Sequence, residues 1–267
     1  MIIASHGILA SQLAGFDADA QAFFDRVTTA GGTLSATEQT AINKLVQDLK
    51  SYSIWSKMKA IYPMVGGGTG TTAARQAACS QNLKSSSFTG SFTSGWTYAS
   101  TGVSGNGTSA YMDTNLNDNT ELSLNSAHIS IYSRTNSDGL ICDMGISGSG
   151  TGVNIFAKYL NIFYPRIHDD NSGIANSTSS LGLFLSNRTT STEIRAFQNN
   201  SLKLITSNSV SKVSNIITLA VLNGATKFFY SNRQYAFASI GDGLSDTEAG
   251  NFYTAVQAFQ TTLSRQV

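Results

Sequence analysis

Apolar residues recur at two different periods along this chain, and the change of period divides it. Phe16, Ala20, Phe23, Phe24 and Val27 fall at i, i+4, i+7, i+8 and i+11, one stripe of a helix. Asp17 and Asp19 suit that helix's N-terminus, and Gly31-Gly32 ends it. Ser35 and Glu38 then form an S-x-x-E capping box, behind which Ile42, Leu45, Val46 and Leu49 make a second stripe. The two predict a helical hairpin whose stripes face each other or an adjacent sheet. Residues 1–15 carry no clear period and read as a flexible arm. Met58–Val65 reads as a strand, Gly66–Gly70 as a loop and Thr72–Asn82 as a short helix.

From about Ser85 to Ile240 the period changes to short β-like runs separated by Gly, Asn and Ser turns. Three hairpins are expected. His128–Arg134 and Leu140–Ile146 flank Asp138-Gly139, Glu193–Gln198 and Ser201–Thr206 flank Asn199-Asn200, and Ile216–Leu222 and Ala225–Tyr230 flank Asn223-Gly224. Such dipeptides tolerate the positive φ values of a type I′ turn. A second capping box, Ser245 to Glu248, precedes Phe252, Val256, Phe259 and Leu263 at helical spacing, which predicts a closing helix. Many short strands without intervening helices imply a mainly β fold, an antiparallel two-sheet jelly roll. A small helical N-terminal region precedes it and a C-terminal helix closes it. The expected domains are residues 1–57, a tether and helical hairpin for attachment, and residues 58–267, the β-sandwich with its helix.

Composition sharpens this picture. Of 267 residues only 12% are charged and 41% are hydrophobic, with 24 glycines, two prolines and a formal net charge of +1. A globular average is about a quarter charged. Ser, Thr and Asn take up the difference, the texture of an extracellular or virion β-protein. No surplus of Lys and Arg exists to neutralise phosphates, so no nucleic-acid partner is expected. No run of 18 apolar residues occurs, so no membrane-spanning helix is expected. Residues 1–15 lack a basic n-region, and Ser5 and His6 interrupt the apolar stretch, so no secretory leader is expected.

Candidate chemistry is sparse. The glutamates are Glu38, Glu121, Glu193 and Glu248, with no E-x-D-x-E run to set two carboxylates on one strand face. Asp169 and Asp170 are adjacent and would point to opposite faces of a strand. His6, His128 and His168 have no G-x-S-x-G elbow beside them. The glycine run at 66–70 lacks the lysine of a phosphate-binding loop. No enzyme and no catalytic residue are therefore expected. Cys79 and Cys142 suit two buried free thiols rather than a disulfide or zinc site. Asp113, Asn115, Asn117, Asp118, Asp138 and Asp143 offer hard oxygens of the kind Ca2+ takes, though solvated turns explain them equally. No cofactor is expected. Aromatic side chains either fill the core or stack on sugar rings. Trp96, Tyr98, Tyr164 and Arg166 are the candidate carbohydrate contacts, with Tyr164-Pro165-Arg166 the best exposed patch.

Four segments resemble one family. The run NGTSAYMDT (106–114) is similar to the F-x-G-x-x-x-Y-V strand of laminin-G-like, concanavalin A-type jelly rolls. LSLNSAHISIYSRT (122–135) resembles their next long strand, and IRAFQNNSLKLIT (194–206) their Y-V-N-G-x-L-V hairpin, with Asn200 where that family usually has glycine. FYSNRQYAFASIGDGLSDTEAGNFY (229–253) resembles the closing strand and the L-S-D-E-E-I helix after it. The likeness covers residues 58–267. The whole chain, including AIYPMVGGGTGTTAARQAACSQNLKS (60–85), also looks like structural proteins of tailed bacteriophages. The resemblance implies a non-enzymatic virion component: a head fibre, capsid decoration or tail appendage subunit, assembled in the host cytoplasm. Its expected partners are other virion proteins through the N-terminal region, further copies of itself, and a host-surface glycan. A stand-alone carbohydrate-binding lectin module is the alternative.

Overall fold

In the computed structural model, residues 15–170 and 175–267 are described; the arm expected at 1–15 lies, but for Gly15, outside them. The chain opens with helices α1 (Ala18–Thr29) and α2 (Ala36–Ser51), a 3-10 turn at Trp55–Lys57, strand β1 (Met58–Tyr62) and helix α3 (Thr72–Cys79). Next come β2 (Ser91–Phe92), β3 (Thr97–Ala99), β4 (Gly102–Ser104), β5 (Met112–Asn117), a turn of helix α4 (Asp118–Glu121) and β6 (Ala127–Ser133). Then follow β7 (Met144–Gly148), β8 (Thr151–Tyr159), β9 (Ile162–Asp169), β10 (Ala175–Asn176), β11 (Gly182–Arg188), β12 (Glu193–Gln198) and β13 (Ser201–Thr206). The chain closes with β14 (Ile216–Leu219), β15 (Leu222–Asn223), β16 (Lys227–Phe228), β17 (Gln234–Gly241) and helix α5 (Asp246–Thr262).

The strands form two sheets. The first has the order β13-β12-β11-β6-β17-β4-β3, with β1 also pairing β17. The second has the order β10-β9-β8-β7-β14-β5-β2, with β15 and β16 added beside β7. All pairs are antiparallel except the single-residue β15–β7 bridge. Inward residues of both sheets, among them Ile129, Ile131, Phe184, Val153, Ile155 and Phe163, make one continuous core. The expected mainly β, two-sheet sandwich with a closing helix is what the chain forms.

A third layer covers the outer face of the first sheet. Stripe residues of α1 (Phe23, Val27), α2 (Ile42, Leu45) and α5 (Phe252, Phe259) share an apolar cluster with outward-facing Tyr132, Leu183, Leu185 and Phe237. This explains why β6 and β11 are buried along their whole length instead of at alternate positions. The helices of residues 18–51 are thus packed onto the sandwich, and their apolar stripes are taken up inside the molecule. Phe16, expected on the first stripe, precedes α1 and stays 43% exposed. Asp17 caps that helix, accepting from the Asp19 N–H at 2.9 Å.

The hairpin at Asn199-Asn200 forms as expected, with Gln198 opposite Ser201. The one at Asp138-Gly139 does not. Strand β6 is paired on both sides, with β11 and β17, while β7 lies in the other sheet between β8 and β14. Asp138 serves a different turn: its carboxylate accepts from the backbone N–H of Leu160 at 2.8 Å and of Asn161 at 3.0 Å. Those two residues have φ of 53° and 59°, the left-handed pair that joins β8 to β9. The Asn223-Gly224 hairpin shrinks to two pairs, Leu222 with Phe228 and Asn223 with Lys227.

Candidate functional site

Among the described residues no helical layer covers the outer face of the second sheet, and a groove opens there. Strand alternation in Gly152-Val153-Asn154-Ile155-Phe156-Ala157 sends Val153, Ile155 and Ala157 into the core, leaving Asn154 and Phe156 on the opposite face. On the neighbouring strand Arg166 stands opposite Asn154, and Tyr164 opposite Phe156. With Tyr159 and Phe229 these side chains line a groove of about 270 Å³. That volume suits about one or two sugar rings, at the small end of ligand sites.

The aromatic walls are fixed by one another. Phe156 meets Phe229 edge to face at 5.9 Å, Phe229 meets Phe228 at 4.8 Å, and Tyr159 meets Tyr164 at 6.1 Å. Beneath them Cys142, Phe156 and Leu222 form a small buried cluster. Burial pushes the Cys142 thiol well above its ordinary pKa, so it is a packing group here and not a nucleophile.

The polar side of the groove is held differently. Asn154 is only 5% exposed, and its amide has no hydrogen-bond partner among the described residues. The Arg166 Nε donates to the Asp169 carbonyl at 2.9 Å and to Asp169 Oδ1 at 3.2 Å. Asp169 is fully buried, and its Oδ2 accepts from the Ser207 hydroxyl at 2.7 Å. Burial raises the Asp169 pKa, opposed by the Ser207 hydrogen bond and the nearby Arg166 and Arg188 charges. Asp170 is exposed and does not line the groove. The lining therefore holds one cation, one unpartnered amide and several aromatic rings, with no carboxylate or imidazole.

The structure brings Tyr164 and Arg166 together at this groove and places Trp96 and Tyr98 elsewhere. Trp96 is 8% and Tyr98 6% exposed, both within the core cluster. The Trp96 Nε1 donates to the Tyr111 carbonyl at 3.2 Å, and its ring packs edge-on against Phe92 at 5.0 Å. Tyr98 packs on the same ring at 5.6 Å. Their faces are used, so neither is available to stack on a sugar. Asn154, Phe156 and Phe229 were missed in the sequence. The alternation around Ile155 was the signal that would have turned Asn154 and Phe156 outward; nothing local would have brought Phe229 to them.

Five of the six candidate calcium ligands have other partners. Asn115 donates to the Thr89 carbonyl, and Asn117 caps α4. Asp143 pairs with the buried Arg233 at 2.8 Å, and Asp138 holds the β8–β9 turn. Asp118 meets His168 Nε2 at 2.6 Å, with both side chains fully buried. Among the described residues no three His, Cys, Asp or Glu side chains converge as a metal site would require. No helix among them is long and apolar enough to cross a membrane.

No family model matches the sequence, and no curated protein matches it. Solved structures do. The chain is similar to a mutant Trypanosoma rangeli sialidase displaying trans-sialidase activity, over 83% of this chain and 39% of that one, at 7% identity and a TM-score of 0.50. Domain 4 of AbnA, a GH43 extracellular arabinanase from Geobacillus stearothermophilus solved with arabinotriose, aligns over 73% of this chain and 98% of its own, at 9% identity and a TM-score of 0.49. The binding domain of botulinum neurotoxin serotype D aligns over 76% and 51%, at 11% identity and a TM-score of 0.46. At such identities the likeness is one of fold alone: a two-sheet β-sandwich.

Proposed function

We propose that the chain is a non-enzymatic, lectin-like module that takes a sugar ring in the groove between β8 and β9. The observation that carries this is the Asn154 amide, which opens onto the groove and makes no side-chain hydrogen bond among the described residues. A ligand hydroxyl that replaces water on such an amide gains about 0.5–1.5 kcal/mol. Tyr164 and Phe229 offer apolar ring surface beside it, the pairing of platform and hydrogen bond that sugars require. A lining without carboxylate or imidazole supports binding over hydrolysis, which needs a proton donor at the bond.

The test is a glycan array probed with the purified chain, followed by titration of the hits. Tyr164→Ala and Asn154→Ala each weaken binding by about tenfold or more, the equivalent of one lost hydrogen bond or stacking contact. Hits that survive both substitutions place binding elsewhere and overturn the proposal, as does release of reducing sugar.

The likeness to tailed-phage structural proteins supports a virion appendage as the setting, displayed in several copies so that weak sites gain avidity. The apolar stripes of α1 and α2 are occupied within the molecule. Attachment would then fall to the polar faces of those helices and the chain before them. Mass spectrometry of purified particles tests this: the chain is present, and is lost when residues 1–14 are deleted. Its absence from particles overturns the virion setting and leaves the stand-alone lectin.

A further inference from the structure

We infer that the sugar taken in this groove is an acidic one, whose carboxylate is received by the Arg166 guanidinium. The inference rests on the groove being a sugar site and adds the class of sugar. Arg166 is fixed along one edge only, by its Nε bonds to Asp169. Neither Nη nitrogen has a hydrogen-bond partner among the described residues, and the side chain keeps 17% exposure in the groove. A guanidinium oriented through Nε, with its far edge free, presents the two parallel donors that fit a carboxylate.

The local charge points the same way. Asp169 lies between two guanidinium groups, Arg166 and Arg188, both of which act on its carboxylate. Arg188 is fully buried, and its own hydrogen bonds go to the carbonyls of Ile167, Thr190 and Ser207. Arg166 is the one charged side chain lining the groove, and the carboxylate it contacts is shared with Arg188. In a partly desolvated site that cation favours an anion over a neutral hydroxyl.

Gly152 lies two positions before Asn154 on the same strand and face. A Cβ at that position would stand 3.0 Å from the Ile146 carbonyl, 3.3 Å from Asn154 Nδ2 and 3.4 Å from Arg166 Cδ. Glycine there lets the amide and the guanidinium stem pack close together. Nδ2 and the Arg166 donors can then share one carboxylate, while the ring lies toward Tyr164.

The experiment is isothermal titration of the full chain with trigalacturonate and with N-acetylneuraminic acid, each beside its methyl ester. These two arms separate uronic from nine-carbon acidic sugars. At least one acid binds about tenfold or more tightly than its ester, as loss of a charge-assisted pair requires, and added salt narrows the gap. Arg166→Gln abolishes the difference between acid and ester. Asn154→Asp, which removes the amide donor and sets a carboxylate opposite Arg166, weakens both ligands but the acid more, so the preference for acid over ester narrows or reverses. Melting curves of both variants check that they are folded. An ester that binds as tightly as its acid overturns the acidic class and leaves the groove as a neutral-sugar site. Failure of every acid, ester and neutral oligosaccharide overturns the groove itself, and the inference with it.

Discussion

His128, the second residue of β6, has both ring nitrogens engaged, Nδ1 against the Asp242 carbonyl at 2.6 Å and Nε2 against the Ser239 hydroxyl at 3.3 Å. The ring is fully buried, and desolvation lowers its pKa to about 4, against the smaller upward pull of the Asp242 carbonyl. The unfolded chain therefore takes up a proton near pH 6.5, before the folded chain does. The stability this histidine contributes is complete above about pH 6.5 and drains away as the pH falls toward 4. At about 1.4 kcal/mol per pKa unit the loss is roughly 2–4 kcal/mol. Urea midpoints measured at pH 7 and pH 4.5 should show it, and His128→Gln should flatten the difference. The two thiols belong to the same scale. Cys79 and Cys142 are both buried and unpaired, and burial raises Cys79 to about 12, as their sequence setting implied.

At the scale of elements, the two capping boxes form with full reciprocity, Ser35 with Glu38 and Ser245 with Glu248. Each glutamate has a second task. The other Glu38 oxygen accepts from the Gly66 N–H at 2.7 Å, and Glu248 pairs with Lys57 at 2.6 Å. Ser245→Ala should cost about 1 kcal/mol, the usual value of a cap. Glu38→Ala should cost more, because it also frees the glycine loop; chemical denaturation of both variants compares them. Asn199 shows the same layering of roles. It adopts φ of 55° in the β12–β13 turn, and its Oδ1 accepts from the Leu183 N–H at 2.9 Å. Gly182 must be glycine for this to fit, since its φ is 94° and a Cβ there would stand 2.1 Å from that same oxygen. The caps and the Asn199 turn were legible because their partners lie within a few residues. Asp138-Gly139 misled because a turn-forming dipeptide says nothing about which strands it joins.

On the scale of the whole molecule, the helical layer and the sandwich depend on each other. Tyr132, Leu183, Leu185 and Phe237 face outward from the first sheet into α1, α2 and α5. The attachment region expected at 1–57 therefore includes a structural part of the fold. A fragment of residues 58–267 would expose an apolar sheet face larger than soluble monomers usually tolerate. Size-exclusion chromatography of that fragment should find it aggregated or bound to a hydrophobic dye, whereas the full chain is not. A well-behaved, cooperatively melting fragment would show instead that the helices are dispensable.

The sequence alone determined the helices, their caps, the β-rich middle and the closing helix. Each of these is written in a local period or a contact spanning a few residues. The sequence also suggested Tyr164-Pro165-Arg166 as an exposed patch at a strand end, whereas the run lies in the middle of β9, with Tyr164 and Arg166 half-buried at the groove. Only the tertiary structure decided which aromatics are core and which are surface. Trp96 and Tyr164 are equally aromatic in sequence, but one is sealed by Phe92 and the other borders a groove. It also decided that Asn154 lies unpaired opposite Arg166, since cross-strand register depends on how strands distant in the chain pair. The groove lies on the sheet that the described helices do not cover, a choice that no local pattern encodes.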